Sequence, residues 1–135
     1  MSASRVGLDP EFAAKLALFE KKLLANGIKV ILTDGYRSIE QQDALYAKGR
    51  TKPGKIVTNA RGGFSWHNFG NAADYAFVVN GKVTWDGPWA TFGKIARQCG
   101  LEWGGTFKSI IDRPHVQWTR GKTLAQMRQA AANKK

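Results

Sequence analysis

The chain has two histidines, and each stands a few residues from an aspartate. The first lies in SWHNFGNAAD, where Ser65, His67, Gly70 and Asp74 spell S-x-H-x-x-G-x-x-x-D. The second lies in DRPH, where Asp112 precedes His115 by three residues. Two imidazoles and one carboxylate suit a catalytic zinc ion, because three protein ligands leave a fourth tetrahedral position for water. Zinc brings the pKa of that water toward about 7, and a nearby carboxylate can then carry its proton to a leaving amine. Asp112 suits this second role, being close to a ligand without being needed as one. By spacing alone, either His-Asp pair also reads as an ordinary hydrogen-bonded contact.

These residues need elements to bring them together. Asp9 as N-cap, Pro10 in the first turn and Gly27 past the end predict a helix over about 10–26, with Phe12, Leu16, Phe19 and Leu23 on one face. IKVILTD reads as a strand ending near Asp34, and Ser38-x-x-Gln41 is a capping box opening a second helix that stops at Gly49. From Arg50 to about Ser65 the chain reads as a long loop, with IVT as one short strand inside it. Residues 72–79 and 82–85 flank Asn80-Gly81, a strong hairpin signal. Pro88 to Gln98 reads as a third helix, Val116 to Trp118 as a short strand, and TLAQMRQAAANKK as a basic final helix over about 122–133.

This order predicts an α+β fold, a single domain with an antiparallel sheet flanked by helices. Asp74 then sits on the first hairpin strand, its side chain opposite to those of Ala73 and Tyr75, and His115 begins another strand. If the two strands pair, the two ligands meet side by side. Gly70 gives the connection from His67 the freedom to turn onto that strand.

Composition fits a folded chain, with 43% hydrophobic and 23% charged residues. No run approaches the eighteen apolar residues of a membrane span, and MSASRVGLDPEF lacks the pattern of a secretory signal. The lone Cys99 excludes an internal disulfide and reads as packing. Lys and Arg outnumber Asp and Glu by 21 to 10, a formal charge of +11 that attracts polyanions or an anionic envelope.

The run DGYRSIEQQDALYAKGRTKPGKIVTNARGGFSWHNFGNAADYAF, followed by EWGG and DRPHVQW, resembles the zinc D-alanyl-D-alanine carboxypeptidase and L-alanyl-D-glutamate endopeptidase family, which includes phage endolysins. The likeness spans about residues 30 to 118, within a peptidase core of about 28–118. The resemblance implies a zinc ion on the face of the sheet, with His67, Asp74 and His115 as ligands and Asp112 as the acid/base carboxylate. Many relatives carry glutamate there, one methylene longer. Arg37 in YRS is implied to hold a substrate carboxylate or the oxyanion, which a guanidinium fork does well. Ser65, Gln42 and Trp103 are implied to line the substrate cleft, although Ser65 also reads as a turn residue, Gln42 as a solvated helix residue and Trp103 as a core aromatic.

The function implied is hydrolysis of peptidoglycan stem peptides. YAKGRTKPGKIVTNARGGFSWHNFG looks more like the endopeptidase branch, which cuts L-Ala from D-Glu, than like a D,D-carboxypeptidase. A basic, five-tryptophan module that grips wall glycan or nucleic acid without cutting is the reading from another class; scattered charges and no nucleic-acid motif weigh against it. The remaining expectations are a monomer without a separate wall-binding domain, held in the host cytoplasm as an endolysin until released to the wall.

Overall fold

The structure, a computed structural model, describes residues 3–108 and 110–133. Its fold is α+β, with five antiparallel strands and four α-helices among the described residues. Helix α1, Pro10–Ala25, starts where the Asp9 side chain accepts from the Phe12 N–H at 3.0 Å. Its inward stripe is Phe12, Leu16, Phe19 and Leu23, all fully buried. Strand β1, Val30–Asp34, leads through a short loop to α2, Ile39–Ala47, opened by the expected Ser38/Gln41 capping box. Strands β2, Ala72–Val79, and β3, Lys82–Thr84, form the hairpin, with Asn80 and Gly81 both at positive φ as its turn demands. Helix α3, Trp89–Gln98, precedes β4, Glu102–Trp103, and β5, His115–Gln117, while α4, Leu124–Asn133, is last.

Strand β2 is central. Its Phe77 pairs with Val30 of β1 and Thr84 of β3, and its Asp74 pairs with Asp34 of β1 and His115 of β5. Strand alternation turns Ala73, Tyr75 and Phe77 toward α1 and α3, where Phe19 meets Tyr75 and Phe92 edge to face at 5.7 and 5.0 Å. Each such buried side chain contributes about 1.5–3 kcal/mol relative to exposure, so the sheet has a firm backing. Asp74 projects from its other face.

The IVT segment forms no strand. Its neighbourhood of Pro, Gly and Asn is held instead by side chains: Gln42 Nε2 donates to the Ala60 carbonyl at 2.8 Å, and Arg50 Nη1 to the Thr58 carbonyl at 3.0 Å. The second helix stops at Ala47, two residues before Gly49. The last strand begins at His115 and ends before Trp118, while the two-residue β4 is too short to leave a sequence period. Helix α4 buries no residue, although Arg128 lies 4.0 Å over the Phe64 ring; Lys134 and Lys135, the basic end of the helix expected over TLAQMRQAAANKK, lie outside the described residues. Cys99 is buried in the core. No helix among the described residues is long and apolar enough to cross a membrane.

Candidate metal centre and cleft

The β2/β5 register sets Asp74 directly opposite His115. His67 arrives from a 3-10 turn, Trp66–Phe69, that Ser65 starts and Gly70 ends. Gly70 has φ +72, and a Cβ there would collide with the Gly7 carbonyl oxygen; only glycine makes this return onto β2 without strain. One potential ligand atom from each of His67, Asp74 and His115 lies within 4.8 Å of the other two. His67 Nε2 is 3.6 Å and His115 Nδ1 is 3.0 Å from Asp74 Oδ1.

The remaining ring nitrogens are engaged behind the cluster. His67 Nδ1 donates to the Gly35 carbonyl at 2.7 Å, and His115 Nε2 lies 2.7 Å from Gln117 Oε1. Both rings therefore turn a nitrogen toward Asp74 and satisfy the other elsewhere, the arrangement in which histidine ligates metal. Two imidazoles and a carboxylate, nearly all buried and converging on one point, fit a divalent cation that takes mixed N/O ligands.

Around this cluster lies a cleft of about 300 Å³, lined by Arg37, Ser65 and Asp112, by the three clustered residues, and by Val57 and Thr58. The loops that carry Arg37 and His67 are stitched together. Arg37 N–H donates to the His67 carbonyl at 3.0 Å, and Asn68 Nδ2 to the Arg37 carbonyl at 3.0 Å. The guanidinium is held by Asp34 at Nε, 2.6 Å, and by Gln42 at Nη1, 3.1 Å, with Nη2 3.6 Å from Asp74 Oδ2. Asp112 is half exposed at the rim, its Oδ2 3.8 Å from His115 Nδ1 and its N–H bound to the Gly104 carbonyl at 2.9 Å.

The carboxylates are tuned in opposite directions. Burial works to raise Asp74, but hydrogen bonds from His115 and His67 overcome it and hold the group well below the usual range. Asp112 is pushed up by burial and by the Asp74 charge. A carboxylate that stays ionised beside one that takes a proton more readily is a familiar division between ligand and proton carrier.

Two residues expected at the cleft are elsewhere. Gln42 is fully buried, and its amide is spent on Arg37 and the Ala60 carbonyl, so it supports the arginine from behind. Trp103 belongs to the core, packed over Gly93 and Gly105, with Nε1 donating to the Arg113 carbonyl at 2.7 Å. Ser65 does line the cleft, and its Oγ also accepts from the His67 N–H at 3.2 Å, so cap and cleft positions coincide. The sequence reading passed over Asp34, Val57, Thr58 and Gln117. Of these, Gln117 alone carried a signal, standing two residues from His115 and so on the same strand face.

A family model described as D-alanyl-D-alanine carboxypeptidase matches residues 58–118, which hold His67, Asp74, Asp112 and His115. Over this segment the chain is similar to that peptidase family. The peptidoglycan L-alanyl-D-glutamate endopeptidase CwlK of Bacillus subtilis (strain 168) is 44% identical over 102 residues, 67% of this chain and 61% of that protein. The L-alanyl-D-glutamate peptidase of Listeria phage A118 is 30% identical over 98 residues, 70% of this chain and 32% of that protein. The chain thus spans less than two-thirds of either curated relative. Among solved structures, the Serratia marcescens L-Ala D-Glu endopeptidase ChiX superposes with a TM-score of 0.60 at 26% identity, covering 85% of this chain and 83% of that one.

Proposed function

We propose that the chain is a zinc-dependent peptidoglycan endopeptidase that hydrolyses the L-alanyl-D-glutamate bond of stem peptides. The observation that carries this reading is the convergence of His67, Asp74 and His115 in a cleft that also holds Asp112 and Arg37. The choice of bond is supported by likeness to CwlK, to the phage peptidase and to ChiX. The phage relative also supports a role as an endolysin, kept from the wall until the host membrane is breached.

His67, Asp74 and His115 would hold the zinc, which when bound polarises a carbonyl and acidifies water. Asp112, raised by its surroundings, accepts a proton from the attacking water at a carboxylate oxygen and returns it to the departing amine nitrogen. Arg37, fixed by Asp34 and Gln42, offers a preorganised positive charge where the carbonyl oxygen gains negative charge, at no cost in reorganisation during reaction. Ser65 presents a hydroxyl to the peptide at the cleft wall.

Purified protein should be stripped with chelator, reloaded with zinc, and given soluble muropeptides for mass analysis. The expected result is zinc-dependent release of stem peptide with a new D-glutamyl N-terminus. Loss of one terminal alanine would instead establish a D,D-carboxypeptidase, and cleavage that survives stripping would overturn the metal reading.

A further inference from the structure

His115 and Gln117 are alternate residues of β5 and share a face of the sheet, while Val116 between them is buried in the core. On the neighbouring strand, Glu102 stands opposite Gln117. The three side chains form a line that ends at Thr119. His115 Nε2 is 2.7 Å from Gln117 Oε1, and Gln117 Nε2 donates to Glu102 Oε1 at 3.4 Å. Glu102 Oε2 in turn accepts from Thr119 Oγ1 at 2.6 Å and Thr119 N–H at 3.1 Å.

Donor and acceptor capacity gives this line a direction. An ionised carboxylate only accepts, so Glu102, anchored by Thr119, draws the NH₂ end of the Gln117 amide toward itself. The amide oxygen is left facing His115, and it too only accepts. His115 Nε2 must then carry a hydrogen; Nδ1 also faces an acceptor, Asp74 Oδ1 at 3.0 Å, and the proton it shares there is the one a metal would displace, so that Nδ1 is the nitrogen left to give its lone pair. A reversed amide would favour the opposite tautomer, with the Nδ1 hydrogen pointing at Asp74 and the lone pair pointing away from the cluster. His67 is not exposed to this ambiguity, because its partner is the Gly35 backbone carbonyl, which cannot turn round.

We propose that Gln117, oriented by Glu102, is a positioning residue that fixes His115 as an Nδ1 metal ligand. The inference rests on the metal-site reading above and deepens it. Gln117 is nine-tenths buried and does not line the cleft, so it acts through His115 and not on substrate.

Two measurements test this without using turnover. One is zinc affinity by competition with a chromogenic chelator; the other is ring ¹⁵N–¹H correlation NMR of the zinc-loaded protein, which has two histidines to assign. In the unaltered protein His115 should be metallated at Nδ1 and protonated at Nε2, and His67 the reverse. Gln117→Leu should weaken zinc binding about 10–100-fold, as loss of a ligand's hydrogen-bond partner commonly does. Glu102→Gln, a change at an exposed position, should give a smaller loss by letting the Gln117 amide turn. Combining Gln117→Glu with Glu102→Gln keeps an acceptor facing His115 and a donor behind it, and should restore affinity. If the leucine variant does not fold, the Glu102 variant and the exchanged pair decide the matter. Zinc bound by His115 Nε2, or full affinity in folded Gln117→Leu, would overturn the inference alone. A protein that takes up no zinc would remove the metal-site reading and this inference with it.

Discussion

Asp112 and His115 are three residues apart, yet their side chains have different surroundings: Asp112 is half exposed at the rim and His115 is buried beside Asp74. If Asp112 moves the proton and does not hold the metal, Asp112→Asn should lower kcat about 10²–10⁴-fold while zinc content per chain stays unchanged. Turnover of soluble muropeptides measured beside metal analysis separates these; loss of zinc in this variant would make Asp112 a ligand instead. Arg37 invites a finer test. Its Nε and Nη1 are spent on Asp34 and Gln42, a planar arrangement that a lysine ammonium cannot reproduce. Arg37→Lys should therefore lose about 10²–10³-fold in kcat, the scale of one lost oxyanion donor. Near-normal turnover with lysine would show that charge alone suffices there.

At the scale of elements, the centre depends on how β2, β5 and the turn at 66–70 meet. Gly70→Ala places a side chain at φ +72 against the Gly7 backbone. It should cost at least about 1–2 kcal/mol from the left-handed backbone alone, visible in chemical denaturation, and should weaken zinc binding because His67 is displaced. The Asp74–His115 pair makes a pH-dependent contribution in metal-stripped protein. Asp74 is lowered in the fold, so its share is present above the unfolded value of about 3.9 and is lost as pH falls through the folded one. For His115, burial is overcome by the bond and charge of Asp74 and the pKa is raised, so its share is full below about 6.5 and is lost as pH rises through the folded value. Asp74→Asn should thus destabilise stripped protein most between about pH 4 and 6.5; an even difference from acid to alkaline pH would mean the pair contributes nothing. The placing of Asp74 and His115 was legible because the Asn-Gly turn fixes the β2/β3 hairpin and alternation fixes the faces along it. Gln42 and Trp103 were not: residue type does not say that a glutamine is drawn inward by an arginine, and β4 is too short for a pattern.

On the whole molecule, the excess of 21 cationic over 10 anionic residues acts over a distance that no single contact covers. On the proposed function, an extended anionic wall would feel that summed field, whereas a short muropeptide in the cleft would feel chiefly Arg37 and the residues around it. Salt separates the two, since the screening length falls from about 10 Å at 0.1 M to about 3 Å at 1 M. Cleavage of intact sacculi should therefore fall more steeply with salt than cleavage of a soluble muropeptide. Helix α4 is a natural contributor, being largely exposed and resting on the rest of the molecule through Arg128 over Phe64. Truncation after Gln129 leaves that contact in place and removes the residues beyond it. It should flatten the salt dependence on sacculi while leaving turnover of the soluble peptide unchanged. Parallel salt curves for the two substrates in the full chain would rule out long-range attraction to the wall as a contribution to activity.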